Sequence, residues 1–191
     1  VIELAGRACP PDRRPASAGH RRNPEAKDPP AGPPWDEALE DAGLDGVYTS
    51  LGNYDDTEIT DLVSVFGTAL SMSDDDVLRW FGQRAISGMV ARWPDFFAPH
   101  EHTVSFLRSL NSVIHPEVRK LYAGAYCPHF DFTYPADGSL VIGYRSPRKL
   151  CGLAHGFILG AADHYGDTLT VRHLECMHEG SDRCLMAVTP A

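Results

Sequence analysis

Phe130-Asp131-Phe132-Thr133-Tyr134-Pro135-Ala136-Asp137-Gly138-Ser139-Leu140-Val141-Ile142-Gly143-Tyr144 decides the fold class of this 191-residue chain. Phe130, Phe132 and Tyr134 alternate with polar neighbours, and Leu140, Ile142 and Tyr144 alternate again after Asp137-Gly138. That dipeptide suits a tight turn that needs positive φ, so the stretch predicts a β-hairpin. Upstream, apolar residues recur at steps of three and four instead, the helical period. Downstream, Lys149 to Tyr165 reads as an apolar helix closed by Gly166, and Thr168 to His173 pairs with Cys184 to Val188 as a second hairpin. An N-terminal helical part followed by hairpin, helix and hairpin is an α+β domain with an antiparallel sheet.

The helices are marked by their faces and their ends. Trp35, Ala38, Leu39 and Ala42 predict a short helix that Gly43 closes. A second, over about 57–71, carries Ile59, Leu62, Val63, Phe66 and Leu70 on one face. Ser73 caps a third, because Asp76 stands three residues on and further aspartates favour the positive helix end. Its face runs through Val77, Trp80, Phe81, Ala85 and Met89 to Trp93, where Pro94 stops it. A fourth starts near Glu101 with Val104, Leu107, Leu110, Ile114, Val118 and Leu121 inward, and Pro116 should bend or restart it at His115 by deleting a backbone donor.

Residues 1–34 hold eight of the fifteen prolines with Arg13-Arg14 and Arg21-Arg22, so they read as a disordered tail before a single domain over 35–191. The net charge of −9 argues against a nucleic-acid surface, which needs clustered Lys and Arg. No run of about 18 apolar residues predicts a membrane span and no charged-then-apolar leader opens the chain, so the expected location is the cytoplasm.

Two groups of residues carry chemistry. His115 sits on an apolar helical stripe, and Tyr144, Ser146 and Arg148 follow at alternate positions, where an extended chain would point three donors one way. One segment can hold a metal and the other acidic groups attached to it. The second group is Cys151, His173, Cys176 and Cys184, one His and three Cys, which is a complete tetrahedral zinc set of the closed, structural type. His178 competes for the histidine place, and Cys9 and Cys127 have no partner in this scheme.

Three features in fixed order, Val113-Ile114-His115-Pro116-Glu117-Val118, Cys127-Pro128 and Tyr144-x-Ser146-x-Arg148, give Trp35 to Val188 a resemblance to the H-NOX family of haem-based nitric oxide and oxygen sensors, which also supplies the haem domain of soluble guanylate cyclase. Gly43-Leu44-Asp45-Gly46-Val47-Tyr48, the Trp93-Pro94-x-Phe96-Phe97 turn, Gly156 and Gly160 are similar too. The resemblance implies haem b with His115 as proximal iron ligand, Tyr144, Ser146 and Arg148 on the two propionates, and Pro128 pressing on the porphyrin. In oxygen-binding members a distal tyrosine stands where this chain has Leu153, and the supporting polar place on the third helix matches Ala85. With Met89 and Phe157 beside it, that pocket lacks a donor, which implies binding of nitric oxide and CO with no stable oxygen complex. A subset of bacterial members is similar at the Cys/His set, which supports zinc there.

The implied function is a non-enzymatic sensor that signals to a separate effector protein, a histidine kinase or a cyclic-di-nucleotide enzyme. Nitric oxide would weaken the iron to His115 bond and let its helix shift. One departure stands out: the family's opening helix of the type Met-Lys-Gly-x-x-Phe-Asn has no counterpart in residues 1–34. Two rivals differ in class. A haem peroxidase lacks its distal His and Arg pair here, and a zinc-containing module for an apolar small molecule would carry no haem.

Overall fold

Trp35–Asp41 forms α1 and Asp56–Leu70 forms α2, which the Asp55 carboxylate caps by accepting the Thr57 N–H at 2.9 Å. A computed structural model describes residues 32–49, 52–122, 124–136 and 139–191; the Asp137-Gly138 turn and nearly all of the expected tail over 1–34 lie outside the described residues. α3, Asp74–Arg92, opens as its sequence predicts. Ser73 Oγ accepts the Asp76 N–H at 3.2 Å and donates to the Asp76 carboxylate at 2.7 Å. Pro94–Phe96 follows as a 3₁₀ turn.

The fourth helical stretch is three pieces in series. α4 covers Thr103–Ser109, a π-helical turn covers Leu110–Ile114, and α5 covers His115–Leu121. The start moves from Glu101 to Thr103, whose N–H donates to the Asp167 carboxylate at 2.7 Å. The restart at His115 has the expected cause: Pro116 has no N–H to give, and the widened turn before it takes up the missing ladder bond. Asn111, within that turn, ties the helix to the sheet. Its Nδ2 donates to the Phe130 carbonyl at 2.5 Å and its Oδ1 accepts the Phe130 N–H at 3.4 Å.

The sheet contains β1 His129–Thr133, β2 Leu140–Arg145, β3 Leu169–Glu175 and β4 Cys184–Pro190, in the order β1-β2-β4-β3 with every pair antiparallel. Between the hairpins runs α6, Cys151–Tyr165, and a 3₁₀ turn at Met177–Glu179 links β3 to β4. The expected hairpin, helix, hairpin order is thus found with shifted ends: β3 and β4 run on to Glu175 and Pro190, while β1 ends earlier and α6 is shorter than expected. β1 stops before Tyr134, which is exposed, and α6 starts at Cys151 because Lys149 takes a left-handed φ of 50°.

Alternating residues of β2 and β4, Leu140, Ile142, Met186 and Val188, pack with Ile158, Leu159, Ala161 and Ala162 of α6 to form the core. On the other side α6 meets α3 backbone to backbone. A Cβ at Gly152, Gly156 or Gly160 would fall on Asp75, Arg79 or Gln83, and one at Gly82 would lie 2.6 Å from the Leu153 carbonyl oxygen. Four-residue steps on both helices keep the seam open to the backbone alone. Among the described residues no helix is long and apolar enough to cross a membrane.

Candidate functional site

His115 opens α5 with its ring 9% exposed, stacked on Phe130 at 5.8 Å between centroids, and Phe130 in turn lies 5.7 Å from Tyr144. Burial, then Arg119 and His129 nearby, lower the imidazole pKa from 6.5 to about 4, so the ring is neutral near pH 7. Its Nδ1 is buried and has no hydrogen-bond partner among the described residues. A neutral imidazole with an uncommitted nitrogen is the form that ligates a metal. The Cys127 thiol points at the His115 carbonyl at 3.9 Å, which brings the Cys127-Pro128 segment against the start of α5.

The three alternate donors do not share one side as an extended strand would place them. β2 ends at Arg145, and Pro147 with the left-handed Lys149 turns the chain. Tyr144 and Ser146 remain together in the interior, 3% and 2% exposed, with the tyrosine hydroxyl accepting the Leu150 N–H at 3.1 Å. Arg148 leaves them and pairs with Asp56 of α2 at 2.8 Å. Its guanidinium therefore already holds a carboxylate, the chemistry that a propionate would offer. Leu153 is buried on α6 and Ala85 on α3, while Phe157 and Met89 pack against the main core. Two cavities are described, about 130 Å³ beside Arg148 and Leu150 and about 470 Å³ beside Arg79, Gln83 and His155; neither borders His115.

The cysteines converge more tightly. Cys151 at the start of α6 lies 3.8 Å from Cys176, sulfur to sulfur, and Cys176 lies 4.0 Å from Cys184 at the start of β4. With Zn–S near 2.3 Å, the edge of a tetrahedron is about 3.8 Å, so these separations suit a shared ion. One ligand atom each from Cys151, His173 and Cys176 lies within 4.8 Å of the others. Burial raises the thiol pKa of Cys151, to which Cys184 and Cys176 add, and burial also raises that of Cys184, against the lowering effect of the Met177 N–H and the Cys151 thiol. The Met177 N–H donates to Cys184 Sγ at 3.2 Å, a contact that favours a thiolate once an ion is present. His178 does not join them. Its Nε2 meets the Lys149 carbonyl at 2.7 Å instead.

Sequence reasoning missed Asp56, Asn111 and His155. The first two act across long sequence separations, which no local pattern reveals. His155 carried a signal in its spacing, four residues after Cys151 on one helix face.

A family model described as haem-NO-binding matches residues 33–173. The chain belongs to this family. Among solved H-NOX structures, one from Shewanella oneidensis in the Fe(II)NO state is 33% identical, covers 82% of this chain and 88% of its own, and has a TM-score of 0.77. An NMR structure from the same organism in the Fe(II)CO state is 32% identical over 82% and 87%, with a TM-score of 0.75. The Fe(II) unliganded H-NOX protein from K. algicida is 25% identical over 82% and 85%, at 0.72. No curated protein matches this chain. H-NOX domains bind gases at haem and are sensor domains.

Proposed function

We propose that residues 35–191 form a haem-based sensor of nitric oxide and CO, with His115 as the axial ligand. The observation that carries this reading is the buried, neutral His115 with its unpartnered Nδ1 at the head of a helix restarted by Pro116. Bound haem supplies the iron at which a diatomic gas binds. Tyr144 and Ser146 offer buried hydroxyls to its carboxylates, and Arg148 offers a planar fork once Asp56 is displaced. Pro128, next to the Cys127 thiol that reaches the His115 carbonyl, would press on the ring. Leu153, Phe157, Met89 and Ala85 supply apolar walls without a donor, which favours nitric oxide and CO over oxygen, whose bound form gains most from a hydrogen bond. The relatives solved in Fe(II)NO and Fe(II)CO states support that choice.

Signalling follows from where His115 stands. A pull on its ring acts on α5 at Pro116, and the Asn111 bonds to Phe130 carry strain into β1. A two-state helix of this kind changes the surface offered to an effector, a histidine kinase or a cyclic-di-nucleotide enzyme, in the cytoplasm. The place given to a distal donor is Leu153, which is apolar and offers no group to cleave a peroxide, and this supports a sensor over an enzyme. Cys151, His173, Cys176 and Cys184 hold a structural zinc in the same domain, as their separations suit.

The test is the visible spectrum of the protein purified after expression with haem. A Soret band that is lost in His115→Gly and restored by imidazole is expected. A colourless protein containing zinc would instead make it a haem-free module, and an unchanged band in His115→Gly would remove His115 from the iron. A stable oxy spectrum in air would refute the role given to Leu153.

A further inference from the structure

His155 is one of the few buried polar side chains with no role in the sites described so far. It is 5% exposed on α6, one helical turn beyond Cys151, so the same helix face presents both. Its Nδ1 lies 3.2 Å from Nε2 of His173, with ring centroids 5.3 Å apart and planes tilted by 31°. Its other nitrogen, Nε2, is buried without a partner among the described residues. The Arg79 guanidinium nearby is already paired with Asp75 at 2.8 Å and Asp76 at 3.3 Å. The contact with His173 is therefore the polar bond that His155 makes here.

We propose that His155 is the positioning residue for His173, fixing which ring nitrogen and which ring orientation His173 presents to the metal. This rests on the reading that the Cys/His cluster holds zinc. A neutral histidine ligates through the lone pair of one nitrogen and carries its proton on the other, and an acceptor for that proton fixes both the tautomer and the orientation of the ring. Nδ1 of His155 is that acceptor. The Nε2 of His173 then carries the hydrogen, its Nδ1 is left for the ion, and the proton of His155 goes to Nε2. His155 is not itself a ligand. Cys151, His173, Cys176 and Cys184 already fill the four places of a tetrahedral site, and the Nδ1 of His155 is engaged by Nε2 of His173 at 3.2 Å. The glycine seam holds the backbone in place: Gly152 and Gly156, on either side of His155, bring α6 against Asp75 and Arg79 and so fix where the imidazole is rooted.

The experiment compares zinc affinity of the full chain and its variants by competition with a chromogenic chelator, and the visible bands of the cobalt-substituted proteins. His155→Phe fills the space without an acceptor and should weaken zinc by about 10- to 100-fold, the usual effect of losing such an outer partner, with altered cobalt bands. His155→Gln restores a neutral acceptor and should return both readouts to near wild type. Wild-type affinity and bands in His155→Phe would overturn the proposal, as would a His155→Gln as weak as His155→Phe, since packing alone would then explain the loss. Should His155→Phe not fold, His155→Ala carries the same comparison. Equal zinc binding by wild type and Cys176→Ser is a separate failure, of the metal site itself, and overturns both readings.

Discussion

Gly156→Ala tests the seam between α3 and α6, on which the placement of both candidate sites depends. The added methyl group would fall on the Arg79 carbonyl, with the Arg79 carbonyl carbon and the Gln83 nitrogen each 2.9 Å away. All of these are backbone atoms, so no side-chain rotation relieves them. The helices must part by roughly an ångström or more to reach ordinary contact, and overpacking against backbone that cannot rotate away lies toward the upper end of the usual range, about 2–3 kcal/mol. Alanine returns about 0.5–1 kcal/mol of helix propensity, leaving a net loss of about 1–2.5 kcal/mol. At about 2–4 °C per kcal/mol for a domain of this size, the melting midpoint should fall by roughly 2–10 °C. Urea unfolding followed by far-UV circular dichroism gives the free energy directly. A variant as stable as wild type, or more so, would refute the close approach, because helix propensity would then be the only term acting.

Three further outcomes are expected. Ser73→Ala removes the acceptor for the Asp76 N–H and should cost about 1 kcal/mol in the same urea assay. Asn111→Ala leaves both backbone groups of Phe130 without their side-chain partner and should cost about 1–3 kcal/mol, with faster amide exchange at Phe130. Arg148→Ala breaks only a partly exposed pair with Asp56 and should change stability by less than about 1 kcal/mol, yet haem transfer to apomyoglobin should become several-fold faster if Arg148 holds a propionate.

The fold was legible wherever a local rule decided it. Ser73 and the aspartates after it gave the start of α3, the two alternating runs around Asp137-Gly138 gave β1 and β2, and Pro116 gave the break at His115. The π-helical turn was not legible, since Leu107, Leu110 and Ile114 keep a spacing that an unbroken α-helix also allows. The sites divided in the same way. Cys151, His173 and Cys176 could be grouped from residue type, and they converge. The common side for Tyr144, Ser146 and Arg148 assumed that the strand continued, but Pro147 and the conformation of Lys149 end it, and the partner of Arg148 lies 92 residues away on α2. His155 shows in sequence only its four-residue spacing from Cys151, which names no partner. Only the approach of β3 gives it a partner.

Tyr144 faces Cys184 across β2 and β4, and its hydroxyl takes the N–H of Leu150, the residue before Cys151. One aromatic residue is thus held at its root opposite one cysteine and at its tip by the residue before another. A ligand that moved the tyrosine and an ion held by the thiols would each shift the affinity of the other by the same factor, as linkage requires. The phenol thus joins the edge of the C-terminal hairpin to the start of α6 through a single side chain.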